Sequence, residues 1–264
     1  MLDAANTSHF TIRTGNGEPV DSKEAVFPIF RLDDAGRLHV LATGFFISEH
    51  GLFVSAKHVF TDVVDRSDTV ADGLALLQFG KGDKFYPRPV QAFVVHEHAD
   101  VGVGVCWPMK HKVTGQPLRN KVLTLCRTAP RVGARVWTYA YPGTSVIDGD
   151  PQHVSIDPRF YVGAVTRHFA TGRDRVLLPY PCYETSIVLH GGSSGGPVFG
   201  HNGIVVGVNS TGGQGELLDT SFVSRITDIL PLAIRNAQVL SEPEPRSVTI
   251  AELASLGHVL FREA

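Results

Sequence analysis

Leu189-His190-Gly191-Gly192-Ser193-Ser194-Gly195-Gly196-Pro197 is a glycine-packed bend that holds one serine, Ser194, in the pattern G-x-S-G-G-P. A serine hydroxyl is a weak nucleophile until a base takes its proton, and a carbonyl under attack needs N–H donors where negative charge develops. Glycine has no Cβ, so the chain can turn sharply here and aim the N–H groups of Gly192 and Ser194 at one oxyanion. Gly-Ser stretches are also ordinary turns and linkers, so the bend takes its meaning from the residues it could meet.

Two upstream segments supply them. Gly51-Leu52-Phe53-Val54-Ser55-Ala56-Lys57-His58-Val59 is an apolar strand that ends in a small-residue step and delivers His58. His98-Ala99-Asp100-Val101-Gly102-Val103-Gly104-Val105 places Asp100 at the start of an alternating apolar strand. His, Asp and Ser in that chain order form one of the known triad arrangements. His58 would take the proton of Ser194 and later return it to a leaving amine, while Asp100 would fix the tautomer of the imidazole. The chain has 12 histidines, and His96, His98 and His190 all lie near these motifs. His190 is nearest to Ser194 in sequence, but the pattern puts it at the rim of the bend. Asp62 is the alternative acid, in surroundings that read as a solvated turn. Ser193 adjoins Ser194, yet only Ser194 is followed directly by Gly-Gly-Pro.

Together these motifs resemble the trypsin/chymotrypsin-type serine peptidases, in style closest to the bacterial, disulfide-free trypsin-like and Deg-type enzymes. The resemblance rests on Ser55-Ala56-Lys57-His58, Asp100-Val101-Gly102-Val103, Gly192-Ser193-Ser194-Gly195-Gly196-Pro197 and Val206-Gly207-Val208-Asn209-Ser210-Thr211-Gly212, and it spans roughly residues 25–237. It implies a serine endopeptidase acting on a protein or peptide through an acyl-enzyme, with His58, Asp100 and Ser194 as triad. No cofactor or metal is implied. Gly192 and Ser194 would form the oxyanion hole, Ser210 would support Asp100, and Ser210, Thr211 and Gly212 would pair with an extended peptide. Val188 stands where an aspartate would select Lys or Arg, so the resemblance implies an apolar specificity pocket with Thr211 at its wall.

The departures from that family are informative. Ser193 occupies the position of the acidic residue that, in secreted members, pairs with a newly cut N-terminal amine, and the polar stretch after Met1 lacks an Ile-Val-Gly-Gly-like start. Activation by zymogen cleavage is therefore not expected. Val59 replaces the cysteine that would follow the histidine. Two other readings stay open: a regulatory or scaffolding double-barrel module held inactive until a partner orders the oxyanion loop, and an esterase using the same triad.

Twenty-seven glycines and 16 prolines punctuate many short apolar runs, which predicts an all-β fold. Six runs between 26 and 106 and six between 132 and 223 predict two six-stranded antiparallel β-barrels with the active site in the cleft between them, plus C-terminal helices. The expected units are an N-terminal extension (1–24), first barrel (25–106), crossover (107–131), second barrel (132–223), C-terminal helix (224–240) and linker with accessory helix (241–264). Ile226, Ile229, Leu230, Ala233 and Ala237 have helical spacing, with Pro231 as a kink or first turn. Thr249-Ile250-Ala251-Glu252 is a capping box opening the accessory helix, whose apolar face is covered by the chain's own surface, a partner or a second copy. The segment 143–158, with Asp148, Asp150 and Asp157, reads as a solvated insertion or a regulatory flap.

Cys106, Cys126 and Cys182 are an odd, widely spaced set, as expected of free thiols in a reducing, cytoplasmic setting. There is no Cys-x-x-Cys pair to suggest structural zinc. The start has no basic-then-apolar leader, and no run is long enough to span a bilayer. A formal net charge of −2 gives no basic bias toward nucleic acid.

Overall fold

Short, largely buried apolar strands separated by turns set the first half of the chain. The computed structural model describes residues 12, 19–61, 73–79, 85–111, 113–147, 149, 153–212, 219–237 and 244–263. After a short helix α1 (Ser22–Ala25), six strands follow: β1 (Val26–Leu32), β2 (Leu38–Phe46), β3 (Leu52–Ser55), β4 (Leu74–Phe79), β5 (Phe85–Val95) and β6 (Gly102–Cys106). They close a barrel in the order β1-β2-β3-β6-β5-β4, antiparallel throughout. A turn at Asp33–Gly36 joins β1 to β2: Gly36, at φ +76°, donates to the Asp33 carbonyl, and the Asp33 carboxylate accepts the N–H groups of Ala35 and Arg37. Inside the barrel Phe27 meets Phe46 at 4.5 Å and Phe53 at 5.6 Å between ring centroids. Gly104 of β6 leaves room for that cluster, since a Cβ there would stand 2.2 Å from the Phe53 ring.

The second barrel contains β8 (Arg135–Ala140), β11 (Arg159–Phe169), β12 (Cys182–Thr185), β13 (Pro197–Phe199), β14 (Val205–Gly212) and β15 (Ser221–Arg225), and pairing of β13 with β14 closes the ring. A small hairpin, β9 (Ser145–Ile147) with β10 (His153–Ser155), rises from the segment 143–158. Two strands too short to show a period, β7 (Leu125–Cys126) and β18 (Phe261–Arg262), add in parallel beyond β14. The all-β expectation of two six-stranded barrels is borne out. Asp62, Asp148, Asp150, Leu218 and residues 241–243 lie outside the described residues.

The C-terminal segment differs from its expected form. Instead of a helix over 224–240, there is one 3-10 turn, Ile226–Ile229, and then strand β16 (Ala233–Ala237), which pairs with β17 (Arg246–Thr249). Pro231 cannot donate the bond an α-helix needs there, and Leu232 and Ile234 bury on alternate positions. The capping box is realised: Thr249 accepts the N–H of Glu252 at the start of α3 (Ile250–Ser255). Ile250 and Leu253 are buried in the chain's main core, so the chain's own surface covers them. Among the described residues no helix is long and apolar enough to cross a membrane.

One buried cation ties the crossover to the first barrel. Arg88 on β5 is 3% exposed and donates to the Trp107 carbonyl (2.8 and 3.1 Å), Gln78 (2.6 Å) and Asn120 (2.7 Å). Asn120 in turn donates to the Glu49 carbonyl. Arg88→Met keeps the apolar stem but strands these acceptors, at about 1–3 kcal/mol for each one left dry. Urea unfolding should show a midpoint lowered by about 2–4 kcal/mol of stability at constant m; an unchanged midpoint would mean the network does not hold the crossover.

Candidate active site

β3 ends at Ser55, and the chain passes through Ala56 into one helical turn, α2 (Lys57–Thr61), which carries His58 to the barrel mouth. Asp100 stands just before β6. Its carboxylate lies 3.0 and 3.1 Å from Nδ1 of His58 and also accepts the backbone N–H of His58 at 3.0 Å. An ionised carboxylate only accepts, so Nδ1 carries the proton and the lone pair of a neutral ring falls on Nε2. Ser210 of β14 donates to the other carboxylate oxygen at 2.5 Å. Because that spends the only proton of Ser210, the hydroxyl of Tyr180, 3.0 Å away, donates to Ser210. Ser224 of β15 donates to the Asp100 carbonyl at 3.0 Å. Burial pushes the Asp100 carboxyl up, but the hydrogen bonds from His58 and Ser210 and the imidazole charge outweigh it and hold it below the ordinary carboxylate range. Burial and the Asp100 charge raise Tyr180 to about 12, so it stays a donor.

The glycine bend is a formed turn. Ser193 donates to the His190 carbonyl at 3.1 Å, and Gly192 has φ +88° while Gly191 is not in the positive-φ region, the signature of a type II turn with glycine at its third position. Among the described residues the N–H groups of Gly192 and Ser194 donate to no protein acceptor. The bend is held from beneath by Asn209, whose carbonyl accepts the Gly195 N–H (2.7 Å), whose N–H donates to Gly196 (2.9 Å) and whose Nδ2 reaches the Ser193 carbonyl (3.3 Å). Gly195 is obligatory: at φ +80°, a Cβ would stand 2.0 Å from Ser55 Oγ and 2.2 Å from the Thr43 carbonyl. The hydroxyl of Ser194 donates to the Ser210 carbonyl at 3.1 Å.

His58, Asp100, Ser194, Ser210, Thr211 and Gly212 border one cavity of about 690 Å³ between the barrels. Val188 is half-exposed and does not line it. His190 stacks on Tyr161, with Nδ1 3.2 Å from the phenol oxygen. His96 accepts the N–H groups of His98 and Ala99, capping its own loop. The reading from residues alone missed Tyr180, Thr43, Asn209 and Ser224. Among the described residues no three His, Cys, Asp or Glu side chains converge to hold a metal ion.

Comparison with known families adds the decisive observation: a family model described as a trypsin-like peptidase domain matches residues 42–208, well over half of the chain. The chain belongs to the trypsin-like peptidases. It is thus a serine protease, a hydrolase whose family acts on proteins and peptides. No curated protein sequence matches it. Among solved structures, the Rv3671c protease of M. tuberculosis in its active form is similar with a TM-score of 0.52 at 19% identity, over 92% of this chain and 84% of that one. The inactive form of the same protease gives 0.51 at 21% identity, over 78% and 86%. The HtrA-type protease AlgW with a tripeptide gives 0.52 at 12% identity, over 78% of this trypsin-like peptidase and 57% of that chain. These three likenesses are likenesses of fold.

The depressed carboxyl of Asp100 makes stability depend on pH. Its contribution is full above the unfolded value of about 3.9 and is lost as pH falls through the lower folded value. Ser210→Ala removes one stabilising donor and so raises the folded pKa toward the unfolded one. Urea unfolding across about pH 3–6 should show the variant losing less stability on acidification than the parent, from a lower plateau; parallel curves would mean that Ser210 does not stabilise the ionised carboxylate.

Proposed function

We propose that this protease cleaves peptide bonds through an acyl-enzyme on Ser194, with His58 as general base and acid and Asp100 as its orienting anion. What carries the reading is the constellation on one cavity: a carboxylate that fixes the His58 tautomer, a serine across the cleft, and two unspent N–H groups beside it. In the first step Oγ of Ser194 bonds to the scissile carbonyl carbon and its proton passes to Nε2 of His58. The N–H groups of Gly192 and Ser194 receive the oxyanion. His58 then protonates the leaving nitrogen as the C–N bond breaks, and a water activated by the same imidazole releases the acyl group. Before attack, Ser194 turns its hydroxyl away from the Ser210 carbonyl, a rotation about one side-chain bond.

The bound peptide lies extended along Ser210, Thr211 and Gly212, exchanging backbone hydrogen bonds with that strand. Thr211 lines the cavity together with the apolar Val176, Leu177 and Leu178, while Val188, expected in the pocket, does not line it; the pocket for the residue before the cut is therefore apolar and selects against Lys and Arg. The alternative of a double-barrel module awaiting a partner to order its oxyanion loop finds less support, because the turn His190–Ser193 already has its type II form. Ester cleavage would be a side capacity of the same triad. The three buried free thiols fit a reducing, cytoplasmic setting.

Ser194→Ala and His58→Ala should each reduce peptide turnover by about 10⁴–10⁶ at unchanged fold, and Ser194→Ala should abolish labelling by a fluorophosphonate probe. Labelling that survives in Ser194→Ala would place the nucleophile elsewhere. Cleavage profiling on a proteome-derived peptide library, with Ser194→Ala as blank, should return small or medium apolar residues before the cut; a Lys or Arg majority would overturn the pocket assignment.

A further inference from the structure

The oxyanion turn of this chain lacks the charged anchor that an acidic residue at position 193 could provide. Ser193 is 1% exposed and carries no charge. The turn must be held by other means, and Thr43, on β2 of the first barrel, supplies them. Its hydroxyl donates to the Gly192 carbonyl at 2.8 Å, and its backbone N–H donates to the Ser194 carbonyl at 2.9 Å. The direction of the hydroxyl bond is not free. Tyr141 N–H, which can only donate, occupies an acceptor lone pair of the same oxygen at 3.1 Å, so the Thr43 proton goes to Gly192. The Thr43 carbonyl in turn accepts from Ser55, three residues before His58. Thr43 is fully buried, so none of these bonds competes with bulk water.

These tethers fix a plane. The peptide unit joining Gly192 to Ser193 is held at its oxygen by Thr43 and at its nitrogen by the His190 carbonyl. That anchors the C-terminal side of Gly192; its N–H belongs to the preceding Gly191–Gly192 unit, whose aim is set relative to this anchored plane by the φ of +88° at Gly192. Without the hydroxyl, the Gly192 carbonyl loses its only partner among the described residues, and the unit can rotate about the flexible glycine bonds on either side. We infer that Thr43 is a positioning residue for catalysis: its hydroxyl, reaching across from the first barrel, holds the oxyanion turn of the second in its working form. The inference rests on the proposed roles of Ser194 and Gly192.

Thr43→Val keeps the shape and removes the proton donor, whereas Thr43→Ser keeps the donor. Loss of one oxyanion donor outright costs about 10²–10³ in kcat, and a donor left misaimed part of the time costs less. The expected result for Thr43→Val is a fall in kcat of about 10–10² with KM within about two-fold, while Thr43→Ser stays within about three-fold of the parent. Rates are normalised to folded enzyme by urea unfolding. A second readout separates aim from packing: affinity for a peptide aldehyde, whose adduct carries an oxyanion, should fall in step with kcat/KM, while affinity for the cleaved peptide product stays unchanged. Should Thr43→Val fail to fold, Thr43→Ala is compared with Thr43→Ser in the same two assays. Equal kcat in the valine and serine variants, or parallel loss of aldehyde and product binding, would overturn the inference. If Ser194→Ala keeps its activity, the triad assignment fails instead, and the two failures are distinct.

Discussion

A buried carboxylate that draws its donors from both halves of the molecule sets the terms for everything around it. Asp100 accepts from His58 on the first barrel and from Ser210 on the second, and its backbone carbonyl is capped by Ser224 on β15. Taking a carboxylate out of water costs several kcal/mol, and only short, well-aimed donors offset that. The second barrel therefore cannot drift from the first without stranding a charge. The same bonds that dock the barrels also orient the imidazole, so folding and readiness of the site are one condition. Tyr180 extends the chain of donors by one step and, kept protonated by burial, leaves Ser210 no choice but to give its proton to Asp100.

Close approach of backbone to backbone is the second constraint, and it explains why this site is written in glycine. Gly195 sits so near Ser55 and the Thr43 carbonyl that no side chain fits. Gly192 approaches Tyr141 and Pro142 to 3.1 Å from where its Cβ would stand, and it is also held at positive φ. The glycines thus let the bend press into the seam between barrels, where Thr43 and Asn209 can reach its carbonyls. Gly104 does the same for the interior of the first barrel by yielding space to Phe53.

How far the residues alone disclose this is uneven, and the unevenness is physical. The strands are legible because burial concentrates apolar residues in short runs broken by glycine, proline and polar turns, and all twelve expected runs overlap barrel strands. His58, Asp100 and Ser194 are legible because each stands in a local pattern of small residues. Thr43, Asn209 and Tyr180 are not: no local pattern marks them, and their partners come from other elements of the chain. The C-terminal segment misleads for a different reason. Ile226, Ile229, Leu230, Ala233 and Ala237 satisfy a helical period, but Leu232 and Ile234 also bury, and Pro231 between them tips the outcome to a 3-10 turn and a strand. Thr249 and Glu252, by contrast, form a strictly local motif, and the capping box is realised as written.

The resting bond from Ser194 to the Ser210 carbonyl shows where this site is stiff and where it is soft. Freeing the hydroxyl from that carbonyl takes rotation about one Cα–Cβ bond, a motion on the picosecond-to-nanosecond scale for a partly exposed side chain. Re-aiming the N–H of Gly192 would instead flip the whole Gly191–Gly192 peptide unit against a neighbouring unit that Thr43 and His190 hold fixed, and would take Gly192 out of its positive φ. In the proposed mechanism the cost of reaching a reactive arrangement therefore lies in the cheapest coordinate available, while the electrostatic part would be carried by backbone that is already in place. The carbonyl that holds the resting hydroxyl also begins the strand Ser210–Gly212, the open edge against which an extended peptide would lie. In the proposed binding mode a peptide docking there would bring its own N–H to that carbonyl and crowd the serine proton away from it, so that binding and release of the proposed nucleophile would draw on the same acceptor.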